Sequence, residues 1–232
     1  MKSAEGVSYE VVRSRRRTAD IVVERDGNII VRAPDWADDD KIDDIVAAKT
    51  CWIFRTLAEC RDLNATRVLR EYKNGEGFLY LGRAYRLLLV NHQTEAVVLR
   101  DGRFRLRRDL VDRGGLAAAK AAFRDYYIGR GRDRFRQRVD YYVSKVGVAA
   151  TAVDVRELGN RWASCSPTGR LAFHWKCMMA PLTVIDYIVV HELCHIRHRD
   201  HTDIFWNEVD KVLPDYLERK EWLRKNGAAL DV

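Results

Sequence analysis

Two histidines four residues apart, His191 and His195, bracket Glu192 in the run Ile188-Val189-Val190-His191-Glu192-Leu193-Cys194-His195. On an α-helix such a pair stands one turn apart on the same face, about 6 Å from one another, so two imidazole nitrogens can meet on one cation. Glu192, one position round the helix, is then placed to reach a water on that metal, the H-E-x-x-H arrangement of zinc hydrolases. Val184, Ile185, Ile188, Val189 and Leu193 make the same stretch apolar, as in a core helix. Burying a glutamate and two histidines without a partner is costly. The metal reading therefore outweighs a chance match of five letters.

Two ligands do not complete a catalytic zinc site, which needs a third protein donor and an open fourth position. His201 is the leading candidate. His198 shares the helix face but would lie roughly 10 Å along the axis from His191, too far for one tetrahedral ion. The third ligand must therefore come from chain that has left the helix and turned back. Glu208 and Asp215 are the remaining options. The polar run Arg197–Asp200 suits a turn, and Thr202 suits the cap of a new helix starting at Asp203.

The elements that must hold these residues can be read from periodicity. Thr183 with Asp186 three residues on reads as a capping box, placing the start of the metal helix near 183, just after Pro181. Val153-Asp154-Val155-Arg156 and Leu171-Ala172-Phe173-His174-Trp175 read as strands; the second is assigned to bind substrate backbone by strand addition. Phe135, Val139, Tyr142 and Val146 recur at helical spacing, so a long helix ends near Gly147. Asp203 to Asn226 is helical, interrupted at Pro214, with Phe205, Trp206, Val209, Val212 and Leu213 as its buried side. Toward the amino terminus, Ile21–Val23 and Ile29–Val31 flank an Asp26-Gly27 turn, and residues 7 to 34 read as β structure. One amphipathic helix of about 20 residues follows, from the acidic run Asp38–Asp40 through Ile42, Val46, Trp52 and Ile53 to Leu57, with Arg61 just beyond. Strands from Phe78 to Val90 and from Val97 to Leu106, the latter around Asp101-Gly102, complete a β-rich lobe. Gly114-Gly115 is the expected boundary, giving residues 1–112 as a β-rich lobe with one helix and 113–232 as the catalytic lobe. The fold class is α+β.

The 232 residues, 47% hydrophobic, suffice for one sizeable core or two small ones. No run approaches the ~18 apolar residues of a membrane span, and the first six residues contain no secretory signal. Five cysteines at irregular spacing, with no C-x-x-C, argue for buried thiols in a reducing cytosol rather than a disulfide framework or a structural zinc site. The net charge is +7, and 13 basic against 6 acidic residues lie between Arg100 and Asp140. Arg130, Arg134 and Arg138 share one helix face there. A solvated face is favoured over a nucleic-acid footprint, because no aromatic residues interleave for stacking.

Arg161-Trp162-Ala163-Ser164-Cys165-Ser166, Met179-Ala180-Pro181, the H-E-x-x-H run, His201-Thr202 and Phe205-Trp206 resemble the YgjP-like predicted metallopeptidases. Arg13–Arg17, Asp26-Gly27, Val31–Pro34, Trp52-Ile53 and Tyr80-Leu81-Gly82 are similar to that family's amino-terminal part. The resemblance implies a zincin-like catalytic lobe, with the metal helix packed on a small mixed sheet. It implies Zn2+ on His191, His195 and His201, and Glu192 as the catalytic residue activating a zinc-bound water. Ala163 departs from the family's usual Gly and His174 from its usual Asn. The metzincin pattern shares the His spacing but has Gly where His198 stands and a later Met that is lacking here.

The expected activity is zinc-dependent hydrolysis of peptide bonds in a peptide or protein substrate, with His174, Phe173 and Arg161 as substrate-binding candidates. His174, His198, Arg161 and Tyr216 are candidates to stabilise the oxyanion. The alternative is a nucleic-acid-associated protein whose zinc lobe processes DNA-bound proteins, as in the SprT-like proteases, or acts only as a scaffold.

Overall fold

The computed structural model describes residues 2–24, 27–64, 69–159 and 161–232, without the side chains of 59–64. The chain is α+β and divides into two compact units, Met1–Arg67 and Val68–Val232.

In the first unit the strands are β1 (Lys2–Ala4), β2 (Val7–Ser14), β3 (Asp20–Val23) and β4 (Ile29–Pro34), in sheet order β1-β2-β4-β3. β3 and β4 are antiparallel, with Val23 opposite Ile29. Asp26 of the expected turn lies outside the described residues. The sheet's inward residues Val7, Tyr9, Ile29, Val31 and Ala33 share a core with Ile42, Val46 and Ile53. The single helix expected here is two, α1 (Asp39–Ala48) and α2 (Thr50–Asn64). The break falls at Lys49, whose φ and ψ of −107° and 5° leave the helical region. Arg61 belongs to the side chains not described.

The second unit begins with β5 (Gly77–Tyr80), β6 (Arg83–Val90), β7 (Val97–Arg100) and β8 (Arg103–Arg107), in sheet order β5-β6-β8-β7. Asp101 and Gly102, both at positive φ, make the two-residue turn that joins β7 to β8, as Asp-Gly favours. A short helix, α3 (Arg108–Asp112), leads into the 32-residue α4 (Gly115–Val146), which Gly147 closes at φ 73°. Phe78 of β5 and Phe104 of β8 pack on Phe123 and Tyr127 of α4, Phe78 stacking on Phe123 at 4.4 Å. This shared aromatic core explains why the division falls at residue 67 and not at Gly114-Gly115. The sheet has no core of its own without α4.

A second, three-stranded sheet consists of β9 (Ala152–Arg156), β10 (Ala163–Cys165) and β11 (Arg170–His174), ordered β10-β11-β9. It is mixed: β11 is antiparallel to β10 and parallel to β9. Its Phe173 stacks on Phe135 of α4 at 4.2 Å. A 3-10 turn, Trp175–Met179, precedes α5 (Leu182–Cys194), and α6 (Asp203–Val212) and α7 (Tyr216–Asn226) complete the unit. α5 is buried at ten of its thirteen positions. Its start differs from the capping box expected at Thr183. Pro181 occupies the cap position, no side chain caps the helix, and Asp186 instead takes a bidentate ion pair from Arg138 of α4 at 2.6 and 2.9 Å. Arg138 is therefore committed inside the fold and does not extend the basic face of Arg130 and Arg134.

Candidate metal centre

His191 projects from the last turn of α5, and His195 is the residue that ends it. The chain then turns at once: the amides of Ile196 and Arg197 bond back to the carbonyls of Leu193 and Cys194, three residues earlier. Arg197 anchors the turn, donating to the carbonyl of Gly147 at 2.9 Å. The reversal returns His201 to the two helical histidines just before α6 begins. Thr202 stands at the cap position of α6, although its side chain makes no capping bond.

The three Nε2 atoms lie 3.2 Å (His191–His195), 3.1 Å (His195–His201) and 3.0 Å (His191–His201) apart. Donors on a tetrahedral zinc would be about 3.3 Å apart, given bonds of roughly 2.0–2.1 Å. Three mutually facing imidazole nitrogens at this spacing fit one small cation. Among the described residues this is the group of three His, Cys, Asp or Glu side chains whose donor atoms converge closely enough for a metal. The protonation states agree: burial, then the neighbouring imidazoles, push His191 down to about 3, leaving it neutral as a ligand must be.

The surrounding side chains fix the rings. The carbonyl of His198 lies 2.9 Å from Nδ1 of His195 and accepts its proton, which leaves Nε2 with a free lone pair. His198 thus contributes its backbone, while its own ring lies outside the triad. Nδ1 of His191 is buried with no protein partner. Phe205 forms the floor beneath the histidines, its ring 5.0, 4.6 and 4.8 Å from those of His191, His195 and His201. Trp206 stacks on His201 at 5.5 Å and on Tyr216 at 5.4 Å. Phe205 and Trp206, expected on the buried side of the last helical segment, thus pack against the histidines as well. The signal in the sequence was an adjacent aromatic pair at the start of the helix that follows His201.

Glu192 is 6% exposed, and with His191, His195 and His201 it lines a cleft of about 330 Å³. Burial raises its carboxyl to about 7, against the pull of the Arg161 guanidinium. The cleft is also lined by Arg161, by Ala163, Ser164 and Cys165 of β10, and by Arg199.

The remaining expected substrate contacts are placed elsewhere. β11 is paired on both sides, by β10 and β9, so it has no free edge for an added strand. Phe173 is fully buried in the core against Phe135. His174 is buried too, its Nε2 bonded to Glu157 at 2.6 Å, and Nε1 of Trp175 donates to the other oxygen of the same carboxylate at 2.8 Å. These contacts hold the loop that leads to Arg161. They account for a histidine at 174 without a role in substrate binding. Among the described residues the edges of this sheet are β10 and β9, and of the two it is β10 that lines the cleft.

A sequence model of the YgjP-like metallopeptidase domain matches residues 17–226 of this chain. No curated protein matches it. Among solved structures, the crystal structure of the metallopeptidase zymogen of Pyrococcus abyssi abylysin is similar over 38% of this chain and 89% of that one. The identity is 24% and the TM-score 0.35.

Proposed function

The chain belongs to the YgjP-like metallopeptidase family, and from that premise we propose that it is a zinc-dependent peptidase with Glu192 as its general base. The observation that carries this reading is the convergence of three Nε2 atoms beside a buried carboxylate, in one cleft. His191, His195 and His201 would hold the ion. Bound there, zinc supplies Lewis acidity, polarising the scissile carbonyl and making an attacking water easier to deprotonate.

The protein's own groups do the rest. Glu192 takes the water's proton on a side-chain oxygen and delivers it to the leaving amine. Its burial supports this role, because a carboxyl raised toward neutrality can both accept and release a proton. The unpaired edge of β10 beside the cleft offers backbone groups to an extended peptide, a role that passes to it from β11. Phe205 and Trp206 keep water from the back of the imidazoles.

The test is elemental analysis together with peptide hydrolysis. Wild type should carry about one zinc per chain, His201→Ala should lose or weaken it, and Glu192→Gln should keep it. Glu192→Gln should also lower kcat about 10²–10⁴-fold, the usual contribution of a positioned base. Full zinc in His201→Ala, or undiminished turnover in Glu192→Gln, would overturn the assignment.

A further inference from the structure

The cleft carries cations that neither the histidines nor Glu192 require. Arg161 stands two residues before β10. Arg199 reaches the other end of that strand, where its Nη1 donates to the carbonyl of Ser166 at 3.1 Å and its Nη2 to that of Pro167 at 2.9 Å. Both line the cleft. Two guanidiniums therefore bracket a three-residue strand, roughly 10 Å long at about 3.3 Å per residue. On the side formed by α6 and α7, Nζ of Lys220 sits 4.2 Å from the centroid of the Trp206 ring that packs on His201.

None of the three forms an ion pair with a described carboxylate, and the carbonyls that hold Arg199 neutralise no charge. Some other arginines of this chain are paired, among them Arg16 with Asp20, Arg105 with Asp101, Arg107 with Asp109 and Arg224 with Glu221. The acids near the histidines are Glu192, inside the cleft, and Asp200, exposed beside His201. Positive charge left uncompensated around a concave site focuses anionic ligands there, and a guanidinium fork matches a carboxylate.

We propose that this cleft takes peptides with acidic side chains flanking the scissile bond. Arg161 and Arg199 are the specificity-determining cations at the two ends of β10, and Lys220, within electrostatic reach of His191 and His201, adds a third positive charge. The proposal rests on the peptidase reading for its substrate and adds the substrate's charge. A peptide extended along β10 passes both guanidiniums, so carboxylates on either flank gain a partner. A lysine-rich peptide meets three cations, with Glu192 the one acid lining the cleft among the described residues.

The experiment uses the zinc-loaded full chain and one quenched-fluorescent peptide framework whose flanking residues are Glu, Gln or Lys. The Glu peptide should exceed the Gln peptide in kcat/KM by tenfold or more, with the Lys peptide lower still. Added salt should shrink the difference. Arg161→Gln and Lys220→Gln should each cut the Glu-to-Gln ratio at least threefold through KM at unchanged zinc content, and Arg161→Lys should restore part of it. Fluorescence anisotropy with zinc-loaded Glu192→Gln reads the same preference without turnover. Equal kcat/KM and equal Kd for the three peptides would overturn the proposal and leave the peptidase reading standing. Tighter binding of the Glu peptide, with no peptide cleaved by wild type, would support the proposal and overturn the peptidase reading. A fall in kcat equal for all three peptides in Arg161→Gln would make Arg161 a transition-state donor and overturn its specificity role.

Discussion

At the scale of single residues, the centre depends on packing side chains as well as on the histidines themselves. Phe205 is fully buried and in ring contact with all three histidines. It holds their planes by packing, where hydrogen bonds are few: His195 has the carbonyl of His198, and the inner nitrogen of His191 has none. Phe205→Ala should therefore do two things. It should cost about 3–5 kcal/mol of stability, as large-to-small changes of a buried aromatic do, and it should weaken zinc binding as the rings lose their floor. Phe205→Leu, which keeps most of the volume, should recover most of both. Urea denaturation and competition with a chromophoric chelator would measure the two effects. Unchanged zinc affinity in Phe205→Ala would show that the imidazoles are held from elsewhere.

At the scale of elements, α5 is located by what abuts its ends. The 3-10 turn just before it meets the β5–β6 hairpin: the amides of Leu81 and Gly82 donate to the carbonyls of Met178 and Met179 at 2.8 and 3.0 Å. Gly82 has φ 78°, and a Cβ there would stand 2.9 Å from Cα of Pro181, the cap of α5. Gly82→Ala must strain the turn and push the metal helix. Gly102, with φ 70° in the β7–β8 turn, has open space around it and serves as the control. Both substitutions should lose about 1–2 kcal/mol to the left-handed backbone. Only Gly82→Ala should lose more than that and lower peptide turnover as well. Thermal unfolding and kcat, measured on both variants, separate the contact from the conformation. The other anchor is the Arg138–Asp186 pair, which ties the middle of α5 to α4.

At the scale of the second unit as a whole, Asp231 joins distant parts of the chain. Its side chain pairs with Lys120 of α4 at 3.1 Å and with Lys176 of the turn before α5 at 3.0 Å, and its carbonyl accepts from Arg70 at 3.3 Å. Burial alone would raise this carboxyl, but Lys176 and then Lys120 outweigh it and bring it to about 2. The folded pKa is thus below the unfolded value of about 3.9. The stabilisation is complete above that value and is lost as pH falls from there through about 2. Its size is about 2 kcal/mol. Asp231→Asn should lower stability at pH 6 by about that amount and leave stability at pH 2 nearly unchanged. Denaturant titrations at the two pH values would show it. An equal loss at both would assign the effect to packing instead of charge.

The amino-acid sequence by itself determined which helical side chains stand together at the candidate metal centre, because spacing on a helix is a local property. Residues four apart must share a face, so His191, His195 and the position of Glu192 followed from periodicity alone. The length limit of a helical ligand set excluded His198 and required a turn-back, with His201 ahead of Glu208 and Asp215; the fold brings His201 to the pair. The hairpins at Asp101-Gly102 and the end of α4 at Gly147 were legible for the same reason, as each is set by φ preferences of the residues themselves. What only the tertiary structure decided was which strand has a free edge, where the compact units divide and what surrounds the metal. Phe173 and His174 read from sequence as cleft residues, but the pairing order β10-β11-β9 encloses β11 and leaves β10 at the rim. Asp186 read as a helix cap until Arg138, 48 residues away, claimed it. The boundary expected at Gly114-Gly115 moved to residue 67 because Phe78 and Phe104 find their core on α4. Each of these is a long-range contact between residues whose local patterns are indifferent to it, and only packing the whole chain selects among the partners.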